Sequence, residues 1–389
     1  MAKRTWTLED REQDVYVEHI GLGPDNVGGT ASGYSVTKRT LAAGLRHGVD
    51  VIEVNNGAFR FVVVPTRGMG IWKASLGEVQ LGWKSPVQGP VHPGFVRLWE
   101  PSGIGWLDGF DELLVRCGLE SNGAPEFNGE GSLVYPLHGK IANIPAHKVE
   151  VTIDGNSSEI AVTGTVDEAR LFGNKLRMVS TITTEVDRPG MTVHDEITNI
   201  SAEDGDLELL YHINFGAPLL DPGSKAVLPV AKVAPRDEVA VGNLTEWDTY
   251  GPEEPGSVEA VFFFDLAAEY DGRTQALLRN AAGNQGVSLK FNKNQFPCFT
   301  LWKNRQAEAD GYVTGLEPAI NFPNVKSFEK QKGRVAVLAP GESRRFEIAI
   351  EVHGNAESVS AAAAAVDKIQ QASTPEVFDR PDPEWSGGG

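Results

Sequence analysis

Apolar and polar residues alternate with a period of two through most of the chain, the pattern of strands that bury one face. KVEVTIDG (148–155), EIAVTGTV (159–166), LRMVSTITTEV (176–186), MTVHDEITNIS (191–201) and DLELLYHINFG (206–216) follow one another, parted by the turn-forming stretches DGNSS, EARLFGN, DRPG and AEDGD. VEAVFFFDL, ALLRN, GVSLKFN, CFTLWKN, GRVAVLAP and RRFEIAIEVHG carry the alternation on to residue 354. Upstream, VDVIEVNNGAFRFVVVPTRGMGIWKAS (49–75) reads as a β-meander, with Asn56-Gly57 supplying hairpin-turn chemistry. Strand follows strand without helices between, which predicts an all-β fold built as a large antiparallel sandwich. A helix is expected only in NAESVSAAAAAVDKIQQAS (355–373), and TPEVFDRPDPEWSGGG after it, rich in Pro, acid and Gly, is expected to be a loose tail. The plan is then an N-terminal extension (1–44), a sandwich domain (45–354), and a short C-terminal helix with its tail (355–389).

Residues 76–147 interrupt the alternation with scattered Gly, Pro and Trp. Long irregular segments inside a compact domain are usually functional or disordered, and the density of aromatic residues favours order here. With 389 residues, 41% hydrophobic and 23% charged, the composition is that of a globular enzyme with room for a large core, and 43 Gly with 23 Pro agrees with many turns. A net charge of −18 argues against nucleic acid or an anionic membrane surface as partner. No apolar run has signal-peptide or membrane-span length, so a cytoplasmic protein is expected, as monomer or homodimer. Cys117 and Cys298 stand far apart without neighbouring metal-type ligands, which reads as two buried thiols, a single bridge being the alternative.

Candidate chemistry begins with TGLEPAINFPN (314–324). Pro318 restricts the backbone of Glu317 to extended conformations and Gly315 allows a close approach, so the chain aims a lone carboxylate, although Glu-Pro among Gly, Asn and Pro is also what an ordinary loop looks like. In DLELLYHINFG the period of two sets Leu207, Leu209, Tyr211, Ile213 and Phe215 on one face, and Glu208, Leu210, His212 and Asn214 on the other. His212 then points away from the main apolar face, either as the wall of a cleft or as a hydrogen-bonded histidine on a half-buried sheet. His138 precedes Gly139 in YPLHGKIANIPAH, where a ligand could approach the backbone closely.

PLHGK (136–140), YHINFGAPLL (211–220) and GLEPAINFPN (315–324) resemble, in the family's own order, the H-G-G, H-x-Y-F-N-L and L-E-P-Q-x-F-P-D segments of galactose mutarotases, the aldose 1-epimerases. The resemblance spans roughly residues 45–352, and VVVPTRGMGIW, GFDELLVRCGLESNGAP, PLHGKIANIPA and GYVTGLEPAINFPN are closest to a mutarotase-like branch of unassigned function. It implies a galactose mutarotase-like β-supersandwich, Glu317 as the base that takes the proton of the anomeric hydroxyl, His212 as the acid that protonates the ring oxygen, His138 as a sugar ligand, a small carbohydrate as partner, and no cofactor. Asn214 and Asn321, inside the motifs, are candidate sugar contacts, as is Trp302, whose ring could stack on a sugar. The chain departs from the family at Lys140, where a glycine is expected, and at Ala319, where a glutamine is expected; the sugar-binding aspartate has only Asp237 as a candidate. Arg67, Lys140, Arg236 and Lys303 lie in or near the motif segments and would suit an acidic group on the sugar.

An anomer-interconverting enzyme acting on an aldose or a modified, acidic sugar is therefore the leading expectation. Two others stand beside it: a metal-dependent isomerase or lyase in which His138, His212 and Glu317 are the ligands, and a sugar-binding protein without turnover.

Overall fold

The computed structural model describes residues 3–387. Its strands form two large sheets, of ten and fourteen strands, and their facing sides share one continuous apolar core. The strong alternation read from 148 to 199 belongs to the first sheet, where Lys148–Asp154, Glu159–Ala169, Lys175–Glu185 and Gly190–Asn199 pair as successive antiparallel neighbours. Glu159–Ala169 and Lys175–Glu185 stay in register from Glu159↔Glu185 to Ala169↔Lys175, which sets Val162 beside Ile182 and Val166 beside Met178 on the core face.

The second sheet carries the centre of interest. Its middle runs Ala260–Leu266, Cys298–Asn304, Val313–Ala319, Gly205–Phe215 and Leu114–Leu119 in spatial order. Gly205–Phe215 is buried on both faces. Leu207, Leu209, Tyr211, Ile213 and Phe215 enter the core between the sheets, while Leu210 joins a smaller cluster on the far side with Val115, Cys117, Val261 and Phe263. The face assignment made from the period of two holds, and it leaves the His212 side turned away from the inter-sheet core.

Two buried ion pairs brace this frame. Arg116 meets Asp195 of the opposite sheet at 2.5 Å and also bonds Ser180 Oγ (2.8 Å) and the Met69 carbonyl (2.9 Å), while Tyr211 donates its hydroxyl to the same Asp195. Arg67 and Glu112, both fully buried, form the second pair. Cys117 and Cys298 are free and buried. Among the described residues no helix is long and apolar enough to cross a membrane.

The ends of the chain are more integrated than the alternation suggested. Lys3–Asp10 pairs with Lys148–Asp154 at the edge of the first sheet, and Ser35–Thr40 pairs with Asp50–Asn55 in the second, so the stretch read as an N-terminal extension supplies strands to both. The helix Ala356–Gln370 starts at an Asn355 cap that accepts from the Ser358 N–H at 2.9 Å, and it packs Ala362 and Val366 on Leu277. The tail is not loose up to residue 387. Phe378 N–H donates to the Val233 carbonyl (2.9 Å), the Trp385 ring lies 5.2 Å from that of Phe322, and Asn324 donates to the Trp385 carbonyl (2.8 Å). Two aromatic residues among the prolines and acids anchor a segment whose composition alone reads as disordered.

Candidate active site

Glu317 lies in the middle of a central strand, not in a loop. Val313–Ala319 pairs with Cys298–Asn304 on one side, with Thr300 opposite Glu317, and with Gly205–Phe215 on the other. There the register Leu210↔Ala319 and Ile213↔Leu316 sets His212 across from Glu317. Proline is rare inside a sheet because it cannot donate to the ladder, and Pro318 sits at the point where that ladder is interrupted. Gly315 serves through its missing side chain: a Cβ there would come within 2.3 Å of Glu317 Oε1 and 3.1 Å of His212 Cε1. The glycine is required by the space the carboxylate occupies, and the backbone at this position needs no unusual conformation. Gly315→Ala should leave the fold intact, displace the carboxylate, and lower kcat by about a hundredfold, the typical cost of a misplacement near 1 Å; an unchanged kcat would show that the carboxylate has room to spare.

His212 Nε2 and Glu317 Oε1 are 3.2 Å apart, with both side chains all but inaccessible. Behind the imidazole, Nδ1 meets Asn214 Oδ1 at 2.6 Å, and the Asn214 amide gives its hydrogens to the carbonyls of Glu112 (3.0 Å) and His212 (3.2 Å). Because both donors of that amide are committed, its oxygen can only accept, so Nδ1 carries the hydrogen and Nε2 is the ring nitrogen left facing Glu317. Burial raises the Glu317 carboxyl well above the usual range, the neighbouring Glu259 adding to it, and burial holds His212 down to about 3, helped by His138. Both shifts favour the pair as neutral imidazole and carboxylic acid where the two side chains are buried. Asn214→Asp should move the imidazole-dependent limb of the pH–rate profile upward, because a carboxylate at Nδ1 stabilises the imidazolium. A substitution that only loosened packing would lower the rate without moving that limb.

The pair opens into a cavity of about 310 Å³, at the small end of ligand pockets, which run from ~300 to ~1,000 Å³. Phe110, Trp106, His138 and Trp302 surround His212, with ring centroids 5.0, 6.2, 5.5 and 5.3 Å away. His138 donates from Nδ1 to the Asn122 carbonyl at 2.9 Å, which leaves Nε2 for the cavity, and burial lowers its pKa. Gly139 beside it is forced by crowding and by a φ of 71°, since a Cβ would meet the Ser121 carbonyl oxygen at 2.0 Å. Trp302 is clamped by its Nε1–H to Glu259 Oε2 (2.6 Å), and the other oxygen of Glu259 pairs with Arg236 at 3.0 Å. Glu317 Oε1, Thr300 Oγ1 and Trp106 Nε1 are buried polar atoms without a hydrogen-bond partner. All three belong to residues lining this cavity, and buried polar groups left unpaired are costly unless a ligand completes them. Wider surface hollows exist, of 530 and 560 Å³, but charged side chains such as Arg273, Lys290, Arg345 and Glu347 line them, and the His194–Glu347 pair of the second (3.0 Å) is exposed to solvent where His212 and Glu317 are buried.

Of the residues singled out from the sequence, Glu317, His212, His138, Trp302 and Arg236 come together here, and Asn214 orients His212 from behind. The others do not reach the cavity. Arg67 is spent inside the protein on Glu112, the Gly109 carbonyl (3.0 Å) and Asn143 (2.8 Å). Lys140 pairs with Glu120 at 2.5 Å and lies 3.7 Å from Glu168. Lys303 gives its ammonium to the carbonyls of Glu246, Trp247 and Thr249, on the opposite face of its strand from Trp302. Asn321 is locked between Asn122 and Glu208, and Asp237 caps the short helix Glu238–Gly242 while pairing with Arg236. The ligand set His138, His212 and Glu317 is not gathered for a cation, since no three His, Cys, Asp or Glu side chains among the described residues are grouped as a metal ion would need. Thr300, Trp106, Phe110 and Glu259 also line the cavity, and no motif in the sequence marks them. Thr300 stands two positions before Trp302 on the same strand face, and that spacing was the available signal.

Solved structures with the same architecture place these observations. A "putative aldose 1-epimerase" from Klebsiella pneumoniae is 30% identical, with a TM-score of 0.94 over 97% of this chain and 99% of that one. A galactose mutarotase-like protein from Clostridium acetobutylicum (15% identity, TM-score 0.56, 82% of this chain and 98% of that one) and a galactose 1-epimerase from Lactobacillus acidophilus (13%, 0.52, 82% and 99%) share the fold. No functionally curated protein matches the chain. The fold and its relatives define a galactose mutarotase-like β-sandwich. Within that class the chain belongs to the family of the domain of unknown function DUF4432, whose model matches residues 46–352.

Proposed function

We propose that this protein interconverts the anomers of a free monosaccharide, with Glu317 and His212 as the proton-transfer pair. The observation that carries the reading is the buried contact of 3.2 Å between His212 Nε2 and a Glu317 oxygen that has no other partner. The name of the Klebsiella relative points the same way. Ring opening begins with the Glu317 proton passing across the 3.2 Å contact to His212 Nε2; the Glu317 carboxylate then takes the O1 proton, the electron pair forms the C1=O bond, the C1–O5 bond breaks, and O5 takes the proton from the His212 imidazolium. The pair ends as carboxylic acid and neutral imidazole, the state burial favours, beside an uncharged open-chain aldehyde. After rotation about C1–C2 the same transfers run backward and close the other anomer. Protons and electrons balance within sugar and pair.

A neutral sugar fits better than an acidic one. Arg67 and Lys140, two of the cations near the motifs that would suit an acidic group, are neutralised elsewhere. Arg236, the cation of the cavity lining, is already opposed by Asp237 and Glu259. A carboxylate or phosphate on the sugar would enter a wall with more acid than base. The test is anomer exchange followed by NMR across neutral sugars, uronates and sugar phosphates. A neutral aldose should equilibrate faster with the protein, in the presence of a chelator as well. Binding with no change in exchange rate would instead leave a sugar-binding protein.

A further inference from the structure

The polar residues of the cavity differ in how far a ligand can reach them. The side chains of His212 and Glu317 are only 6% and 3% exposed, whereas those of Arg236 and Glu259, in the same lining, are 34% and 41% exposed. Neighbouring strands of the second sheet set these groups side by side. Arg236 follows Val230–Pro235, and its N–H donates to the Val261 carbonyl at 2.9 Å. Val261 stands opposite Trp302, and Thr300, on the same face as Trp302, stands opposite Glu317. Arg236 therefore closes the side of the cavity that lies across Trp302 from the acid–base pair.

The guanidinium is held along one edge. Its Nε donates to Asp237 Oδ2 (2.9 Å), and its Nη2 meets that oxygen (2.9 Å) and Glu259 Oε1 (3.0 Å). Both carboxylates are themselves fixed: Asp237 Oδ1 accepts from the Ala240 N–H at 3.0 Å, and Glu259 Oε2 accepts from the Trp302 indole at 2.6 Å. Nη1, with its two hydrogens, has no partner among the described residues. A donor already locked in place loses little freedom when a ligand meets it. Two carboxylates balance its charge, so an uncharged oxygen suits Nη1 better than an anion would. Glu259, with one bond on each oxygen, also keeps acceptor capacity for a hydroxyl hydrogen.

From this geometry we infer that Arg236 is a sugar-binding residue whose Nη1 donates to one hydroxyl of the sugar other than O1, with Asp237 and Glu259 as the positioning residues that hold it there. The inference rests on the mutarotase reading and adds to it a contact on the far side of Trp302. It also changes the part that the sequence suggested for Arg236, from partner of an acidic group to reader of a neutral hydroxyl.

The experiment takes the neutral aldose that binds most tightly and its 2-, 3-, 4- and 6-deoxy analogues. Quenching of tryptophan fluorescence gives the affinity and anomer exchange by NMR gives kcat/KM, for the wild type, Arg236→Gln and Arg236→Lys. One deoxy analogue should bind the wild type roughly ten- to a hundredfold more weakly than the parent sugar, the worth of a hydrogen bond to a charged group. Arg236→Gln should weaken the parent by a similar factor and bind that analogue as well as the parent, while the other analogues keep their wild-type ratios. Arg236→Lys, which keeps the charge and loses the fork, should fall between. Removing a cation that acts on Glu317 alters the rate for every sugar alike, so the ratio of analogue to parent carries the test. The fold is not at stake, because Arg236 is partly exposed and Asp237 still caps its helix. Deoxy penalties that are the same in the wild type and both variants overturn this inference and leave the mutarotase reading standing. Acceleration of no sugar, with the penalty for one analogue still abolished in Arg236→Gln, overturns the mutarotase reading and keeps the contact. A uronate that binds more tightly than its parent aldose, with the advantage lost in Arg236→Gln, makes the arginine an anion ligand and overturns the inference.

Discussion

Glu317→Gln should lower protein-dependent anomer exchange by about 10²- to 10⁴-fold, the usual loss when a positioned general base is removed, while the far- and near-UV circular dichroism stay unchanged. The amide keeps the shape that Gly315 makes room for, and no structural bond is lost because Glu317 Oε1 has none. Sugar affinity should persist, since Thr300, Trp106, His138 and Trp302 remain. His212→Asn should impair the same step, and the double variant should be little worse than the weaker single one, because the two residues move protons in one event and such losses do not multiply. A Gln variant of undiminished rate would remove Glu317 from the chemistry, and losses that multiply would separate the two residues into independent roles.

The residues behind that prediction were legible for a definite physical reason. A strand has a period of two, so DLELLYHINFG discloses that His212 faces away from Leu207, Leu209 and Tyr211 before any neighbour is known, and the core between the sheets agrees. Long-range partners were not legible. Arg67 and Glu112 are separated by 45 positions, and Lys140 and Glu120 by 20. Sequence alone shows a cation near a motif, and only the fold shows that a carboxylate already occupies it. The same limit hid Thr300, Trp106 and Glu259. Each is an ordinary residue until the strands and the 93–110 loops converge and leave it on a cavity wall. In the sequence Gly315 reads as backbone freedom, yet what it supplies is the volume of a missing methyl group, which depends on where Glu317 of the same strand turns its carboxylate. The tail misled because its composition is polar, whereas its order depends on where Phe378 and Trp385 dock.

Arg67→Ala should destabilise the protein by about 3–5 kcal/mol, the cost of leaving a buried charge without its partner, and should change KM for the sugar little under conditions where the variant is folded. The guanidinium is fully buried and makes several bonds at once: to Glu112, to the Gly109 and Val91 carbonyls (3.0 and 3.3 Å), and to Asn143 Oδ1 (2.8 Å). Truncation would leave the equally buried Glu112 carboxylate uncompensated and would free three segments that the arginine ties to the 65–67 turn. Domains have a total stability near 5–15 kcal/mol, so the urea midpoint should fall by a large fraction. The double variant Arg67→Met/Glu112→Leu should recover much of the loss, because replacing both members of a buried pair by apolar groups removes the desolvation cost along with the attraction. The carbonyl of Glu112 would still receive the amide of Asn214 and the indole of Trp83, so the imidazole of His212 should keep its orientation and the double variant its kcat. A raised KM with an unchanged urea midpoint in Arg67→Ala would return the arginine to the sugar site; a lowered midpoint with an unchanged KM identifies it as the brace beneath that site.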